Sequence, residues 1–215
     1  MTTIRAIVFD QGETLVNETR FWSSVAAYAG VPELTLHGVL GGLIERRASH
    51  RSLFNVMQIE SVDPNIIGYR IESRDLYPDV VPTLKRLSHE GFVLGVAGNQ
   101  PSGAIEQMAD LGLPLTLNAS STSWGLTKPD PAFFRRMADE LELEPAEVMY
   151  VGDRIDNDIL PAQEIGMHAV FIRRGPWGYL HAGWPEMEQV RHRIDSLAEV
   201  PDLVRRLNKE RASRD

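Results

Sequence analysis

Short apolar runs recur along this chain, and each is followed by a stretch patterned as a helix. "IRAIVF" (4–9), "FVLGVAG" (92–98), "EVMYVG" (147–152) and "HAVFIRR" (168–174) are too short for buried helices and rich in β-branched residues. Runs of this kind read as strands covered on both faces. "LPLTLNAS" (113–120) is a weaker strand. Between them, "YPDVVPTLKRLSHEG" and "SGAIEQMADLG" read as helices stopped by Gly91 and Gly112. "DPAFFRRMADELEL" places Phe133, Phe134, Met137, Ala138 and Leu141 on one helical face, with Pro131 near its start. "DNDILPAQEIGM" reads as a short helix and "IDSLAEVPDLVRRLNKE" as a last one, with "RASRD" frayed beyond it. Five strands alternating with helices through short connections predict an α/β fold: a parallel sheet sandwiched by helices.

The alternation is broken once. From Glu18 to Tyr77 the segments "TRFWSSVAAYAG", "TLHGVLGGLIERRASH" and "RSLFNVMQIE" all show helical spacing, punctuated by "VP" at Val31 and "DP" at Asp63. The expected organisation is an α/β core from 1–16 and 78–215, with an all-helical insertion over 17–77 hinged near Val16 and Tyr77.

The chain length of 215 residues suits one such domain with an insertion. A net charge of −8 without a basic run argues against nucleic acid and anionic membrane surfaces as partners. The absence of cysteine excludes disulfides, thiol catalysis and cysteine-ligated zinc. No apolar stretch approaches the roughly 18 residues of a membrane span. "MTTIRAIVFD" lacks the regions of a signal peptide, so a cytoplasmic protein is expected.

In open parallel sheets ligands bind outside the carboxyl ends of the strands. Asp10 follows the first strand, Asn99 the second, Lys128 lies after the third, and Asp153 follows the fourth, with Asp156, Asn157 and Asp158 beside it. A single carboxylate there is commonly a helix cap. Several acids converging on one edge call for a cation; oxygen ligands suit magnesium, and the lysine suits a phosphate. In "FDQGETL" (9–15), Asp10 and Glu13 flank a turn containing Gly12, which by itself fits a nucleophile, a metal site or a tight turn.

"VFDQGETL", "VLGVAGNQ", "GLTKPDPAFF" and "VGDRIDNDILPAQEIGM" together resemble the four ordered motifs of the haloacid dehalogenase-like (HAD) hydrolase superfamily. The resemblance runs from Ile4 to about Arg174 and recurs in the tail "RIDSLAEVPDL", and the helical insertion is similar to the small helical cap of that superfamily. It implies a Rossmann-like core in which Asp10 is the nucleophile that becomes an aspartyl-phosphate. Asp10, Asp153, Asp158 and the Gly12 carbonyl would ligate Mg²⁺. Lys128 would pair with Asp10 and the phosphoryl oxygens, and Gly98 and Asn99 would cradle the phosphate.

Two positions depart from the pattern. The first motif usually reads D-x-D-G-T, but the second aspartate, the general acid/base, is here Gly12, and the usual glycine is Glu13. The Ser or Thr that usually precedes Asn in the second motif is Gly98. General acid–base help is commonly worth about 10²–10⁴ in rate, so an Asp restored at position 12 is expected to raise turnover. Glu13 is the candidate replacement, although one position along a strand points a side chain the other way.

The resulting expectation is a magnesium-dependent phosphatase of low or specialised activity, acting on a small phosphorylated metabolite. The alternative is a non-catalytic relative that binds a phosphorylated ligand or a partner. Phosphonate cleavage is disfavoured because no lysine lies between Glu18 and Tyr77, and dehalogenation because the fourth motif is a metal-binding one. Phe21 and Trp22 are expected in the core of the insertion. Arg46, Arg47 and Arg51 are expected on a solvated helix face, and "RRGPWGYLHAGW" (173–184) in a surface loop or pocket rim. His37, His50, His89, His168, His181 and His192 lack metal spacing and read as surface or packing residues.

Overall fold

The first apolar run becomes the centre of a sheet. In the computed structural model, which describes residues 3–60, 67–101 and 103–213, the elements in chain order are β1 (Ala6–Phe9), α1 (Thr19–Ala29), α2 (Glu33–Glu45), α3 (Ser52–Val56), α4 (Val80–His89), β2 (Val93–Gly98), α5 (Gly103–Asp110) and β3 (Leu117–Ser120). They continue with α6 (Ser121–Trp124), α7 (Pro131–Glu140), β4 (Val148–Gly152), α8 (Leu160–Glu164), β5 (His168–Ile172), α9 (Gly175–His181), β6 (His192–Ile194) and α10 (Val200–Ala212). The strand order is β3-β2-β1-β4-β5-β6, with every pair parallel.

Alternate side chains of the strands feed two cores. Ile7, Phe9, Leu94, Val96, Met149 and Val151 pack with Val80, Leu84 and Leu87 of α4 and with Val200 and Val204 of α10. Ala6, Val8, Ala97, Tyr150 and Phe171 pack against Phe133, Phe134 and Met137 of α7 and against Ile155 and Ile159. Both faces of the sheet are thus covered, and β1 lies between β2 and β4, where the chain order reverses. Ala6 is level with Val93 on one side and Val148 on the other. That reversal opens a crevice at the carboxyl ends of β1 and β4.

The helices α1–α3 have a separate apolar core. Trp22, Val25, Ala26, Leu36, Leu40, Leu43, Ile44 and Leu53 cluster there, joined by Trp177 from α9. Two passes of the chain run side by side at its base. Val16 bridges to Gly12 and to Leu76, Asn17 N donates to Asp75 O (2.7 Å), and Tyr77 N donates to Leu15 O (3.0 Å).

The sheet has a sixth strand beyond the five expected. β6 is three residues long and only Ile194 is buried, so it carries no apolar run to mark it. The segment expected as a surface loop or rim contains α9, whose Trp177 closes the core of α1–α3. Arg47 is exposed, as expected, and from there reaches Glu186 (2.6 and 3.0 Å) and lies 4.3 Å from the Trp184 ring centroid. α10 continues through Ala212, two residues into the tail expected to fray. The "DP" at Asp63 and the last two residues of the tail lie outside the described residues.

Candidate functional site

β1 delivers Asp10 to the crevice. Its N–H donates to Val151 O (2.8 Å), which prolongs the alignment of β1 with β4 by one residue and sets Asp10 beside the end of β4. Lys128 arrives from the loop after β3, almost fully buried. Its ammonium has three donors, and it gives one each to Asp10 Oδ1 (2.6 Å), Asp158 Oδ1 (2.6 Å) and the Tyr150 hydroxyl (2.9 Å). Tyr150 passes its own hydrogen to Ala97 O (2.9 Å), anchoring the ammonium to β2 as well as to β4. Asn99 does not touch this ammonium. It clasps the Lys128 backbone, donating Nδ2–H to the carbonyl and accepting the N–H at Oδ1, both at 2.8 Å.

The acids are not balanced by this one cation. Asp158 also accepts from the Arg154 N–H (3.0 Å), whereas Asp153 Oδ2 is buried without a hydrogen-bond partner among the described residues. Burial pushes the Asp10 carboxyl up to about 6, with Lys128 opposing and Asp158 adding to the rise. Burial, then the Asp158 and Asp10 charges, hold Asp153 well above the usual carboxylate range. Burial works against the Lys128 charge, but Asp10 and Asp158 outweigh it and hold the ammonium well above its ordinary value. One oxygen from each of Asp10, Asp153 and Asp158 lies within 4.8 Å of the others. Three clustered carboxylates, one with an orphaned oxygen, fit a hard divalent cation.

The two glycines that break the motif are both closely approached. A Cβ at Gly98 would stand 2.5 Å from Asp10 Oδ1, so this orientation of Asp10 leaves no room for a side chain there. A Cβ at Gly12 would stand 2.4 Å from Glu18 Oε1. Glu18 was not among the expected site residues. Its residue as a whole is half-buried but its carboxyl is enclosed, and burial, with the Glu13 and Asp10 charges adding, raises it to about 8.

Glu13 is held in the turn that follows β1. At φ 54° it turns out of the strand direction, and Oε1 accepts the Glu18 N–H (2.9 Å) while Oε2 accepts the Tyr77 hydroxyl (2.5 Å). The Arg174 guanidinium lies 4.1 Å from the Tyr77 ring centroid, donates to Thr14 O (2.9 Å) and pairs with Asp79 (2.5 Å). Tyr77 and Arg174 therefore support this turn, a function that no motif spacing reveals. Gly12 contributes the bridge to Val16. Beside this turn, Glu13, Thr19, Trp22, His37, Leu40 and Pro176 line a cavity of about 200 Å³.

The histidines provide no metal cluster among the described residues. His181 is a packing residue: its Nδ1 accepts the Ile155 N–H (3.1 Å) and its ring stacks on Trp184 at 3.8 Å.

An aspartate at the end of β1, a lysine between α6 and α7 and two acids after β4, gathered at one edge of a parallel sheet, are the arrangement of one class of α/β hydrolase. The chain belongs to the haloacid dehalogenase-like hydrolase family, whose model matches residues 4–166. It is 28% identical to the glyceraldehyde 3-phosphate phosphatase of Methanocaldococcus jannaschii over 96% of this chain and 100% of that protein. It is 37% identical to the protein of the same description from Methanopyrus kandleri, over 62% of this chain and 58% of that one. Among solved structures, a predicted phosphoglycolate phosphatase from Haemophilus somnus superposes with a TM-score of 0.71 at 22% identity, covering 94% of this chain and 99% of that one. The L-2-haloacid dehalogenase of Xanthobacter autotrophicus, with chloropropionic acid covalently bound, superposes with a TM-score of 0.69 at 17% identity, covering 94% and 99%. These last two likenesses concern the fold alone.

Proposed function

We propose that this chain is a phosphatase that hydrolyses a small phosphorylated metabolite through an aspartyl-phosphate on Asp10. The observation that carries the reading is the Asp10–Lys128–Asp158 array beside the unpaired Asp153 at the sheet's switch point. Several phosphatases among the relatives support it. Asp10, Asp153 and Asp158, with the Gly12 carbonyl, would hold Mg²⁺, which would offset the charge of the phosphoryl group.

Asp10 attacks phosphorus with the oxygen not held by Lys128. Lys128 keeps the other oxygen in place and gives the phosphoryl oxygens a cation in a site shielded from water. Asn99 fixes the lysine's backbone, and Gly98 leaves room for the carboxylate and the phosphoryl group. The helical segment 17–77 is a cap over the crevice, and Thr19, Trp22, His37 and Leu40 of that segment line a cavity of about 200 Å³ beside Glu13. Phosphoglycolate and glyceraldehyde 3-phosphate, the substrates named for relatives, are small phosphorylated metabolites.

A screen of phosphorylated metabolites with magnesium supplied tests this reading. Release of phosphate by the wild type, abolished by Asp10→Asn, is the expected result. A second reading is favoured by Gly12, which removes the usual acid/base: a binding protein that retains the frame. Ligand stabilisation without turnover would select it.

A further inference from the structure

The side chain missing at position 12 is replaced in space by another residue. A Cβ built on Gly12 would meet Glu18 Oε1 at 2.4 Å and Glu18 Cδ at 2.9 Å. The Glu18 carboxyl therefore fills the volume into which a side chain at position 12 would project. It comes from the residue that immediately precedes α1, six positions along the chain, and the hinge returns it to the crevice.

Its backbone is held by Glu13, and its carboxyl has one donor among the described residues, Trp22. The Glu18 N–H is held by Glu13 Oε1 (2.9 Å), and Glu13 is held in turn by the Tyr77 hydroxyl on the second pass of the hinge. Glu18 Oε2 accepts from Trp22 Nε1 at 3.3 Å, leaving Oε1 as the oxygen turned toward Gly12. Glutamate is longer than aspartate by one methylene and here approaches from outside the motif, so Gly12 is the residue that makes room for it.

We propose that Glu18 is the proton-transferring group of the reaction, with Glu13 and Tyr77 as positioning residues. The proposal rests on the phosphatase reading given above. In the first step an Asp10 oxygen forms a bond to phosphorus and the ester P–O bond breaks. Its electron pair goes to the leaving oxygen, which takes the proton of the Glu18 carboxyl. In the second step the Glu18 carboxylate takes a proton from water as the water oxygen bonds to phosphorus. The Asp10 O–P bond then breaks, releasing inorganic phosphate and restoring both side chains.

The test is kcat/KM for a series of aryl phosphates from phenyl to 2,4-dinitrophenyl, with magnesium supplied. This parameter reports the first step, and the best leaving groups in the series need no proton. Glu18→Gln keeps the shape of the side chain and removes the proton. It is expected to lower kcat/KM on phenyl phosphate by about 10²–10⁴, the range of acid–base help, and to leave 2,4-dinitrophenyl phosphate near wild type. Equal loss across the series, or no loss, overturns the proposal while leaving the phosphatase reading intact. Gly12→Asp combined with Glu18→Ala moves the carboxylate to position 12. Recovery of phenyl phosphate turnover over Glu18→Ala alone supports the proposal, and no recovery overturns it. A wild type inert on the whole series, like Asp10→Asn, overturns the phosphatase reading and this proposal together.

Discussion

Asn99 and Lys128 are joined by two reciprocal hydrogen bonds of 2.8 Å between the Asn99 amide and the Lys128 backbone N–H and carbonyl. The residue expected to cradle phosphate thus holds the main chain of the residue whose ammonium meets Asp10. Removing the amide strands a partly buried donor and acceptor, each costing about 1–3 kcal/mol when unsatisfied. Asn99→Ala is expected to destabilise the fold by about 2 kcal/mol, read as a lower urea midpoint at unchanged slope. It should also lower kcat by freeing Lys128. An unchanged midpoint would show that the clasp does not hold the loop.

Asp153 opposes folding when the cation is absent. Its carboxyl is held well above the ordinary value of 3.8 by burial and by Asp158 and Asp10, so the folded chain binds that proton more tightly than the unfolded chain. Folding is therefore penalised as pH rises above 3.8, and the penalty is absent at lower pH. Asp153→Asn should melt higher than wild type at neutral pH without metal, and the two should converge in acid. Magnesium should then stabilise the wild type, by about 2.7 kcal/mol at one hundred times its dissociation constant, and leave the variant unmoved. A variant still stabilised by magnesium would remove Asp153 from the ligand set.

The contact between the helical segment and α9 titrates in the opposite sense. His50 lies between Trp22 and Trp177, with ring centroids at 6.4 and 5.7 Å, and burial, aided by Arg154 and Arg51, lowers its pKa from 6.5 to about 4. Stability from this group is full above pH 6.5 and declines as pH falls toward 4, because only the unfolded chain takes the proton readily. His50→Gln should flatten the slope of stability against pH across that window. Chemical denaturation at several pH values measures it, and an unaltered slope would place the titration on His168 or His181, whose values are also lowered to about 4.

The strands that carry the site were readable because each is a buried apolar run ending in a polar residue. Asp10, Asn99 and Asp153 follow from that pattern, Lys128 lies further on, beyond α6, and hydrogen bonds tie Lys128 to Asp10 and Asn99 at one edge. β6 escaped because its edge position needs little apolar surface, and α9 because Gly175, Pro176 and Gly178 read as a loop. Glu18 escaped for another reason. An acid before a helix is an ordinary neighbour of the helix dipole, and only the paired chain passes, with Val16 bridged to Gly12 and Leu76, bring its carboxyl beside Gly12. The available signal was the pairing of a glycine at the acid/base position with an acid a few residues later. Glu13 satisfies that signal equally well in sequence, and its carboxylate is held by the Glu18 N–H and the Tyr77 hydroxyl.

That geometry reverses the sequence-based expectation for Gly12→Asp. An aspartate at position 12 would bring its Cβ to 2.4 Å from Glu18 Oε1, so the two carboxyls would contend for one volume. The Glu18 carboxyl, held by one 3.3 Å bond from Trp22, has to swing aside, and a second acid beside Asp10 adds repulsion. Gly12→Asp in the otherwise unchanged chain is therefore expected to melt lower than wild type and to gain no turnover. Glu18 is displaced before the new aspartate can be seated, and a proton-transferring group misplaced by about an ångström loses most of its effect. Relief should come from shortening the competitor: Gly12→Asp with Glu18→Ala should melt above Gly12→Asp alone. Thermal melts of the two variants beside wild type check the order. A single Gly12→Asp variant as stable as wild type and faster than it would show that position 12 was open, and that Glu18 does not occupy it.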